Sequence, residues 1–323
     1  MIIGICGAGT MGRGIAIASL MAGHTVIIVD LSADACSAAV AAITKQLTSA
    51  VERGKLASAD FDACVARCST STDVAAMALC DIIIEAIAER LDIKHAFFQS
   101  AEKVCRPDAI LASNTSSISI ASLARCLQDP SRFVGLHFFN PAHIMKLVEV
   151  IRGPRTSDHV VTFCVDLARG LGKTPVVAKD APGFIVNRIA RNYYNEAQRI
   201  VMEGAATIEQ TDALMQGLGF KMGPFALMDL IGVDVNLDVT KSQWQQFFFE
   251  PRFTPSLLQQ QYVDAGLHGT KSGGGFRSTS GTEGSRASLG GFRNRYVEIG
   301  SPDLQRLYRS RASPSDAWRL SYR

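Results

Sequence analysis

The sequence lacks several features that mark whole classes of protein. No run of about 18 or more apolar residues occurs, so we predict no membrane-spanning helix. The eight cysteines form no CxxC pair and no histidine cluster accompanies them, which argues against a metal site and favours reduced, structural thiols. Because an apolar run already begins at residue 2, we expect no signal peptide and a cytoplasmic location.

An excess of positive charge is also missing from most of the chain. The net charge is +3, but residues 277–323 hold nine Arg, no Lys and four acidic residues, which leaves −2 for the first 276 residues. We therefore expect no nucleic-acid partner. The same 47 residues contain nine Ser and five Gly with few aliphatic side chains, a composition that predicts a disordered tail.

The order of the apolar patterns predicts an α/β protein of about two domains. Short apolar runs alternate with helical patterns over 1–182, and after Pro182-Gly183 the periodicity is helical. We predict a Rossmann-like, mostly parallel sheet over 1–182 with a helical hairpin inserted at 33–66. A smaller all-α domain over 183–276 and the tail over 277–323 follow. The helical patterns of the second domain span 184–203, 207–217, 225–247 and 255–266.

A glycine-rich turn, Gly7-Ala8-Gly9-Thr10-Met11-Gly12, follows the first predicted strand and opens a helix. In this motif Gly7 allows the tight turn, Gly9 lets the backbone approach a pyrophosphate, and Gly12 lets helix and strand pack closely. The helix N-terminus would bind the phosphates. Asp30 ends the next strand and would bind ribose hydroxyls, and no Arg follows it to accept a 2′-phosphate. The sequence therefore predicts NAD rather than NADP as the cofactor.

A histidine and a glutamate lie on two neighbouring predicted strands. His137 follows a strand at 133–136, and Glu149 lies within one at 147–151, after a short turn that contains proline. The two side chains could face each other as a base and its orienting carboxylate. For a single histidine, an ordinary buried side chain at a sheet edge remains the alternative. Five small polar residues at 113–117 end another strand, where open α/β sheets bind ligands, although a helix N-cap also explains them.

Several of these stretches together resemble the L-3-hydroxyacyl-CoA dehydrogenases, including bacterial 3-hydroxybutyryl-CoA dehydrogenases. The resemblance covers about residues 1–276. It rests on Gly7-Ala8-Gly9-Thr10-Met11-Gly12, Glu85-Ala86-Ile87-Ala88-Glu89, Ser113-Asn114-Thr115-Ser116-Ser117, His137-Phe138-Phe139-Asn140-Pro141, Lys146-Leu147-Val148-Glu149-Val150, Pro182-Gly183-Phe184-Ile185-Val186-Asn187-Arg188 and Met222-Gly223-Pro224-Phe225.

The resemblance implies a fold, a reaction and roles for individual residues. His137 is expected to take the proton from the 3-hydroxyl of an acyl-CoA while C3 gives a hydride to NAD, and Glu149 to hold the imidazole. Ser116 and Asn187 are expected to contact the substrate oxygen and position C3. The helical domain is expected to contribute to the substrate site and to a homodimer.

The resemblance also implies contacts with the rest of the cofactor and with CoA. Expected NAD contacts, besides the glycine-rich turn and Asp30, are Glu89, Lys94, Ser116, Asn140 and Lys271. Expected CoA contacts are Arg53 and Lys55, at the tip of the helical hairpin, and Ser116.

Three other functions stay open at this point. A dehydrogenase of a free hydroxy acid or sugar acid would have no use for the basic tip at Arg53 and Lys55. A non-catalytic NAD-binding structural protein would have no use for His137 together with Glu149. A place within a multifunctional β-oxidation chain is disfavoured because no hydratase-like stretch is attached to the sequence.

Overall fold

Short apolar runs form the strands of the amino-terminal half. The computed structural model of the protein describes residues 1–277. A run such as Ile82–Glu85 is buried along its whole length, as the inner strands of a parallel sheet require. The strands are β1 (Ile2–Cys6), β2 (Thr25–Val29), β3 (Cys68–Ser71), β4 (Ile82–Glu85), β5 (Ile110–Ser113), β6 (Phe133–Phe138), β7 (Leu147–Arg152) and β8 (Thr174–Lys179).

The strands form one sheet in the order β3-β2-β1-β4-β5-β6-β7-β8. All neighbouring pairs are parallel except β6 and β7, which run antiparallel with His137 opposite Glu149. The Rossmann-like, mostly parallel sheet predicted from the sequence is confirmed. Because β7 reverses direction, it carries Glu149 back past the end of β6.

The helices follow the predicted order with two differences. They are α1 (Thr10–Met21), α2 (Ala33–Glu52), α3 (Phe61–Ala66), α4 (Leu91–Val104), α5 (Ile120–Ala124), α6 (Asp158–Gly170), α7 (Val186–Met202), α8 (Ile208–Gly217), α9 (Pro224–Ile231), α10 (Val233–Gln246) and α11 (Leu257–Asp264). The single helix predicted over 225–247 is wrong: Gly232, at φ +106°, ends α9 and begins α10. The sequence analysis also did not identify α6.

Helices cover both faces of the sheet. One apolar core lies between the sheet and α1, α2 and α6, and a second lies on the opposite face against α4 and α5. A third, smaller core lies among the helices after residue 183 and includes Tyr194, Phe225 and Phe276. The predicted helical hairpin is present as α2 and α3, and the turn between them carries Arg53 and Lys55.

Two aspartates accept backbone hydrogen bonds that hold the carboxyl-terminal helices and the last described residues together. The carboxylate of Asp212 accepts the first N–H groups of α9, from Phe225 and Ala226, at 2.9 and 3.0 Å. Asp229 accepts the N–H groups of Phe276 and Arg277, which ties the last described residues to α9. Within residues 1–277, no helix is both long and apolar enough to span a membrane. The predicted disordered tail from 278 onward lies outside the described residues.

Candidate active site

In the glycine-rich turn at the end of β1, the backbone lies directly against the backbone of neighbouring segments. Gly7 has φ +105°, and a Cβ there would lie 2.5 Å from the carbonyl oxygen of Ala86. A Cβ on Gly12 would lie 1.9 Å from the carbonyl oxygen of Gly7, whereas a Cβ on Gly9 would meet no atom within 4 Å. Gly9 is the N-cap of α1, and no side chain caps this helix. The turn therefore presents free N–H groups towards open space, which fits the pyrophosphate of NAD.

Asp30 holds the turn and borders a cavity. Its Oδ2 accepts the N–H of Ala8 at 2.8 Å, and its Oδ1 accepts the N–H of Ser32 at 3.1 Å. Beside it lies a cavity of about 930 Å³ between the ends of β1, β2 and β4 and the helix α4. Its walls include Gly7, Gly9, Asp30, Ala86, Ala88 and Phe97. A cavity of this size and position can hold the adenosine half of a dinucleotide. Thr10 and Met11 begin α1 beside it.

His137 lies between Ser116 and Glu149 at the same edge of the sheet. Its Nδ1 is 2.7 Å from Glu149 Oε2, and its Nε2 is 3.1 Å from Ser116 Oγ. His137 is only 4% exposed and Glu149 only 1%, so their interaction is weakly screened by water. The antiparallel register of β6 and β7 sets the first contact, and the loop after β5 sets the second. The structure therefore brings three of the four predicted catalytic residues into one hydrogen-bonded chain.

The second oxygen of Glu149 holds the start of α7. Glu149 Oε1 accepts the N–H groups of Ile185 and Val186, each at 2.9 Å. Burial alone would raise the pKa of Glu149, but the hydrogen bonds from His137, Val186 and Ile185 outweigh it and lower the pKa. An ionised Glu149 fixes the imidazole with its proton on Nδ1 and leaves Nε2 as an acceptor. Asn187, the fourth predicted catalytic residue, is the next residue of α7 and is half-buried.

Two phenylalanine rings flank the imidazole, and the sequence analysis gave neither a role. The ring centroid of His137 lies 4.5 Å from that of Phe139 and 5.8 Å from that of Phe184. Phe184 has φ +48°, which is uncommon for a bulky side chain and marks a constrained turn before α7. The two rings cover the imidazole with apolar surface and reduce its contact with water.

Glu89 and Lys94 belong to a charged cluster beneath the loop that carries Ser116. Lys94 is 1% exposed, and its Nζ lies 3.0 Å from Glu89 Oε2 and 2.6 Å from Glu85 Oε1. Glu89 Oε1 accepts the N–H groups of Ser116 and Ser117 at 3.0 and 3.1 Å. Glu89, one of the two residues predicted to bind NAD, thus also holds the loop that carries Ser116 in place, and Lys94 holds Glu89. No role was predicted for Glu85, because its only signal in the sequence is an acidic residue that ends an apolar strand.

Asn140 borders a separate groove of about 270 Å³ on the other side of α1. The groove lies between α1, α2 and the loop after β6, and Arg13, Lys45 and His143 also line it. The pKa of His143 is lowered by its burial and by the charges of Lys173 and Lys55. The basic turn at the tip of the hairpin therefore faces the same side of the molecule as this groove.

Lys271 does not lie against the glycine-rich turn in this structure. Its Nζ contacts Asp234 Oδ2 at 2.6 Å, on α10. Gln246, also on α10, contacts the loop that carries Ser116: its side-chain amide donates to the carbonyl oxygen of Ser117 at 3.1 Å. These residues are 129 positions apart, and no local pattern marks the contact.

Among the described residues, no group of three or more His, Cys, Asp or Glu is arranged to hold a metal ion. All eight cysteines are free, and six of them are buried. Burial raises the pKa of the Cys164 thiol to about 12, so this side chain stays protonated inside the first core.

Two family models match the chain. The model for the NAD binding domain of 3-hydroxyacyl-CoA dehydrogenase matches residues 2–181, and the model for the C-terminal domain of the same family matches residues 183–279.

Individual relatives match over most of this chain. The 3-hydroxyadipyl-CoA dehydrogenase of Escherichia coli is 47% identical over 272 residues, but these span 84% of this chain and only 57% of that protein. A probable 3-hydroxybutyryl-CoA dehydrogenase of Deinococcus radiodurans is 41% identical over 277 residues, 85% of this chain and 99% of that one. The crystal structure of (S)-3-hydroxybutyryl-CoA dehydrogenase from Ralstonia eutropha superposes with a TM-score of 0.84 at 40% identity, covering 86% of this chain and 99% of that chain.

Proposed function

The chain belongs to the 3-hydroxyacyl-CoA dehydrogenase family, and on this premise we propose that it oxidises L-3-hydroxyacyl-CoA to 3-ketoacyl-CoA with NAD and catalyses the reverse reaction. The observation that carries the proposal is the chain of contacts from Ser116 through His137 to Glu149, with distances of 3.1 and 2.7 Å, on the sheet edge that also carries the nucleotide cavity.

The contacts of His137 suit it to proton transfer. We assign Nε2 as the atom that takes the proton of the substrate 3-hydroxyl, because Nδ1 donates to Glu149. Glu149 stabilises the imidazolium that forms, and its two backbone donors from α7 keep it fixed. Ser116 and Asn187 are assigned to hold the substrate oxygen and C3. Bound NAD supplies the hydride acceptor.

The residues around the turn fit NAD. The turn shaped by Gly7 and Gly12 would hold the pyrophosphate over Gly9. Asp30 would hold the adenosine ribose and Glu89 the nicotinamide ribose. Lys271 could contribute only after leaving Asp234, with which it is paired here. Its role in NAD binding stays a prediction.

We assign the CoA part of the substrate to the groove beside Asn140. The groove is lined by the cations Arg13 and Lys45, and Lys55 lies close enough to lower the pKa of His143 at its edge. Positive charge at this place suits the phosphates of CoA. Arg53 ends α2 at the same turn and is exposed, so it is available to the same phosphates.

The proposal is tested by following NADH absorbance with acetoacetyl-CoA, with free acetoacetate and NADPH as parallel controls. We expect rapid consumption of NADH with the CoA ester and at least tenfold slower reactions in both controls. Turnover of the free acid at a similar rate would instead favour the hydroxy-acid dehydrogenase. Binding of NADH without turnover of any of these substrates would favour a non-catalytic role.

We also propose that the region after residue 183 is a separate helical domain that forms a homodimer. Its helices α8 and α9 expose large apolar side chains, and Leu214, Leu218 and Leu230 are each at least 60% exposed. Burying such side chains in a second copy removes apolar surface from water. Light scattering should give twice the mass of the chain, and Leu218→Lys should lower it towards the monomer, whereas Leu79→Lys on the amino-terminal half should not. A monomeric wild type would contradict the proposal.

A cytoplasmic location stays a prediction, tested by cell fractionation.

A further inference from the structure

Three charged side chains lie together where β4 ends and α4 begins, and two of them are buried. Glu85 is fully buried, Lys94 is 1% exposed, and Glu89 lies at the surface end of the group. The ammonium of Lys94 contacts both carboxylates, at 2.6 Å for Glu85 and 3.0 Å for Glu89. We call these three residues the acid–lysine cluster. With two carboxylates and one ammonium, the cluster has one negative charge that no member of it neutralises.

The hydrogen bonds indicate that both carboxylates are ionised. The oxygens of Glu85 accept from Lys94, from the N–H of Ile87 at 2.8 Å and from the hydroxyl of Ser113 at 2.6 Å. Each of these partners can donate, as an ionised carboxylate requires. Burial would raise the pKa of Glu89, but the charge of Lys94 and hydrogen bonds from the 115–117 loop outweigh it and lower the pKa.

The sheet order places this cluster between the two ends of the cofactor site. At the carboxyl ends of the parallel strands, the residues that lie side by side are, in spatial order, Asp30, Gly7, Glu85, Ser113 and His137. Strands lie about 4.8 Å apart, so Asp30 and His137 are separated by roughly 19 Å along this edge. A dinucleotide that binds its adenosine at Asp30 and reacts beside His137 must cross the ends of β4 and β5. Its nicotinamide riboside would therefore lie over the cluster.

The cavity supports this path. The residues that join Glu85 to Glu89 along the chain, Ala86, Ile87 and Ala88, all line the nucleotide cavity. The far side of the cluster contacts the loop that carries Ser116, since Glu89 Oε1 accepts the N–H of this residue. The uncompensated charge thus lies between the cavity and the base.

We propose that the acid–lysine cluster favours the oxidised cofactor, whose nicotinamide ring is cationic, over the reduced cofactor, whose ring is neutral. A buried charge is weakly screened, so it acts on a nearby cation far more strongly than an exposed carboxylate does. Glu85 is the member to vary first, because its carboxylate, unlike that of Glu89, accepts no hydrogen bond from Ser116. The inference rests on the proposed function in taking NAD as the cofactor and in placing its reacting ring beside His137.

The test is the ratio of two dissociation constants, for NAD⁺ and for NADH, measured by titration calorimetry on the full chain. In Glu85→Gln the cluster becomes neutral. We expect the Kd for NAD⁺ to rise roughly tenfold while the Kd for NADH changes less than about threefold. Glu85→Asp keeps the charge and should keep the wild-type ratio, even if it lowers the melting temperature.

A matched control residue lies on α4, the helix that carries Lys94. Glu102, near the other end of α4, pairs with Arg132 at 3.3 Å, and both side chains are 10% exposed. Glu102→Gln removes a buried ion pair without changing the charge beneath the cofactor, so the ratio should not move. If Glu85→Gln leaves the ratio within about twofold of wild type, or weakens both cofactors equally, the proposal is wrong.

A second variant covers the case in which Glu85→Gln does not fold. Glu89 is 39% exposed at its side chain, so Glu89→Gln disturbs the core less and still neutralises the cluster. The same preferential loss of NAD⁺ binding is expected, and an unchanged ratio in this variant would overturn the proposal. Failure of wild-type protein to bind either form of NAD would contradict the cofactor assignment itself, which separates the two failures.

Discussion

The two ends of the cofactor site are built in different ways. At the adenosine end, the glycine-rich turn and Asp30 lie within 24 consecutive residues, 7–30, and the turn depends on glycines that have no Cβ atom. The catalytic end brings together Ser116, His137, Glu149 and the start of α7, and depends on side-chain hydrogen bonds between distant segments. The first end should therefore be sensitive to added atoms, and the second to lost charge and lost hydrogen bonds.

The largest expected effect on folding and cofactor binding comes from adding one methyl group at the adenosine end. A Cβ on Gly12 would lie 1.9 Å from the carbonyl oxygen of Gly7, which is a backbone atom and cannot rotate away. We expect Gly12→Ala to lower the melting temperature by about 10 °C and to weaken NAD binding about 100-fold. Calorimetry measures both. Gly170→Ala, where an added Cβ would meet no atom within 4 Å, is the control, and similar behaviour of the two variants would refute the argument.

The next effect concerns the catalytic end. Glu149→Gln keeps the shape of the side chain but removes the charge that stabilises imidazolium, so we expect kcat to fall about 100-fold with NAD binding unchanged. The variant should also be less stable, since two N–H groups of α7 lose a charged acceptor. The matched control is Glu196→Gln on the exposed face of α7. A kcat within threefold of wild type would show that Glu149 does not assist proton transfer.

A smaller effect separates binding from folding at the adenosine end. A Cβ on Gly9 would meet no protein atom, so Gly9→Ala should leave the melting temperature within about 2 °C of wild type. The new methyl group would occupy the open side of the turn, and we expect the Kd for NAD to rise about tenfold. Unchanged NAD binding would mean that the pyrophosphate does not approach Gly9.

The smallest effect is a pH dependence of stability at the catalytic end. The pKa of Glu149 is lower in the folded protein than in an unfolded chain, where a glutamate has a pKa of about 4.3. Its contribution to stability is therefore fully present above that value and is lost as the pH falls through the folded pKa. Urea unfolding between pH 3 and pH 7 should show that Glu149→Gln and wild type differ most at neutral pH. A constant difference at all pH values would contradict this.

The same contrast explains how much could be predicted from the sequence. The turn at Gly7–Gly12 and Asp30 form a local motif, and strand patterns with a spacing of twelve residues were enough to pair His137 with Glu149. The break at Gly232 was not predicted, because the apolar period continues across it and only the positive φ interrupts the helix. The role of Glu85 was not predicted either, because in the sequence it appears only as an acidic residue at the end of an apolar strand.

Contacts between distant segments left no signal in the sequence. Gln246 contacts the carbonyl oxygen of Ser117 across 129 positions, and Lys271 pairs with Asp234, which resemblance to the family did not indicate. Such contacts depend on how α10 lies against segments that are distant in the sequence, and helical periodicity does not encode that packing.

The central claim is that His137 is the base, and one measurement tests it most directly. NADH oxidation by acetoacetyl-CoA is followed in a single turnover for wild type and His137→Gln, after titration has shown that both bind NADH equally. The account predicts that the variant reacts at least 1,000-fold more slowly, since its amide cannot exchange the proton that the imidazole carries. A variant that reacts within tenfold of wild type would remove His137 from this role.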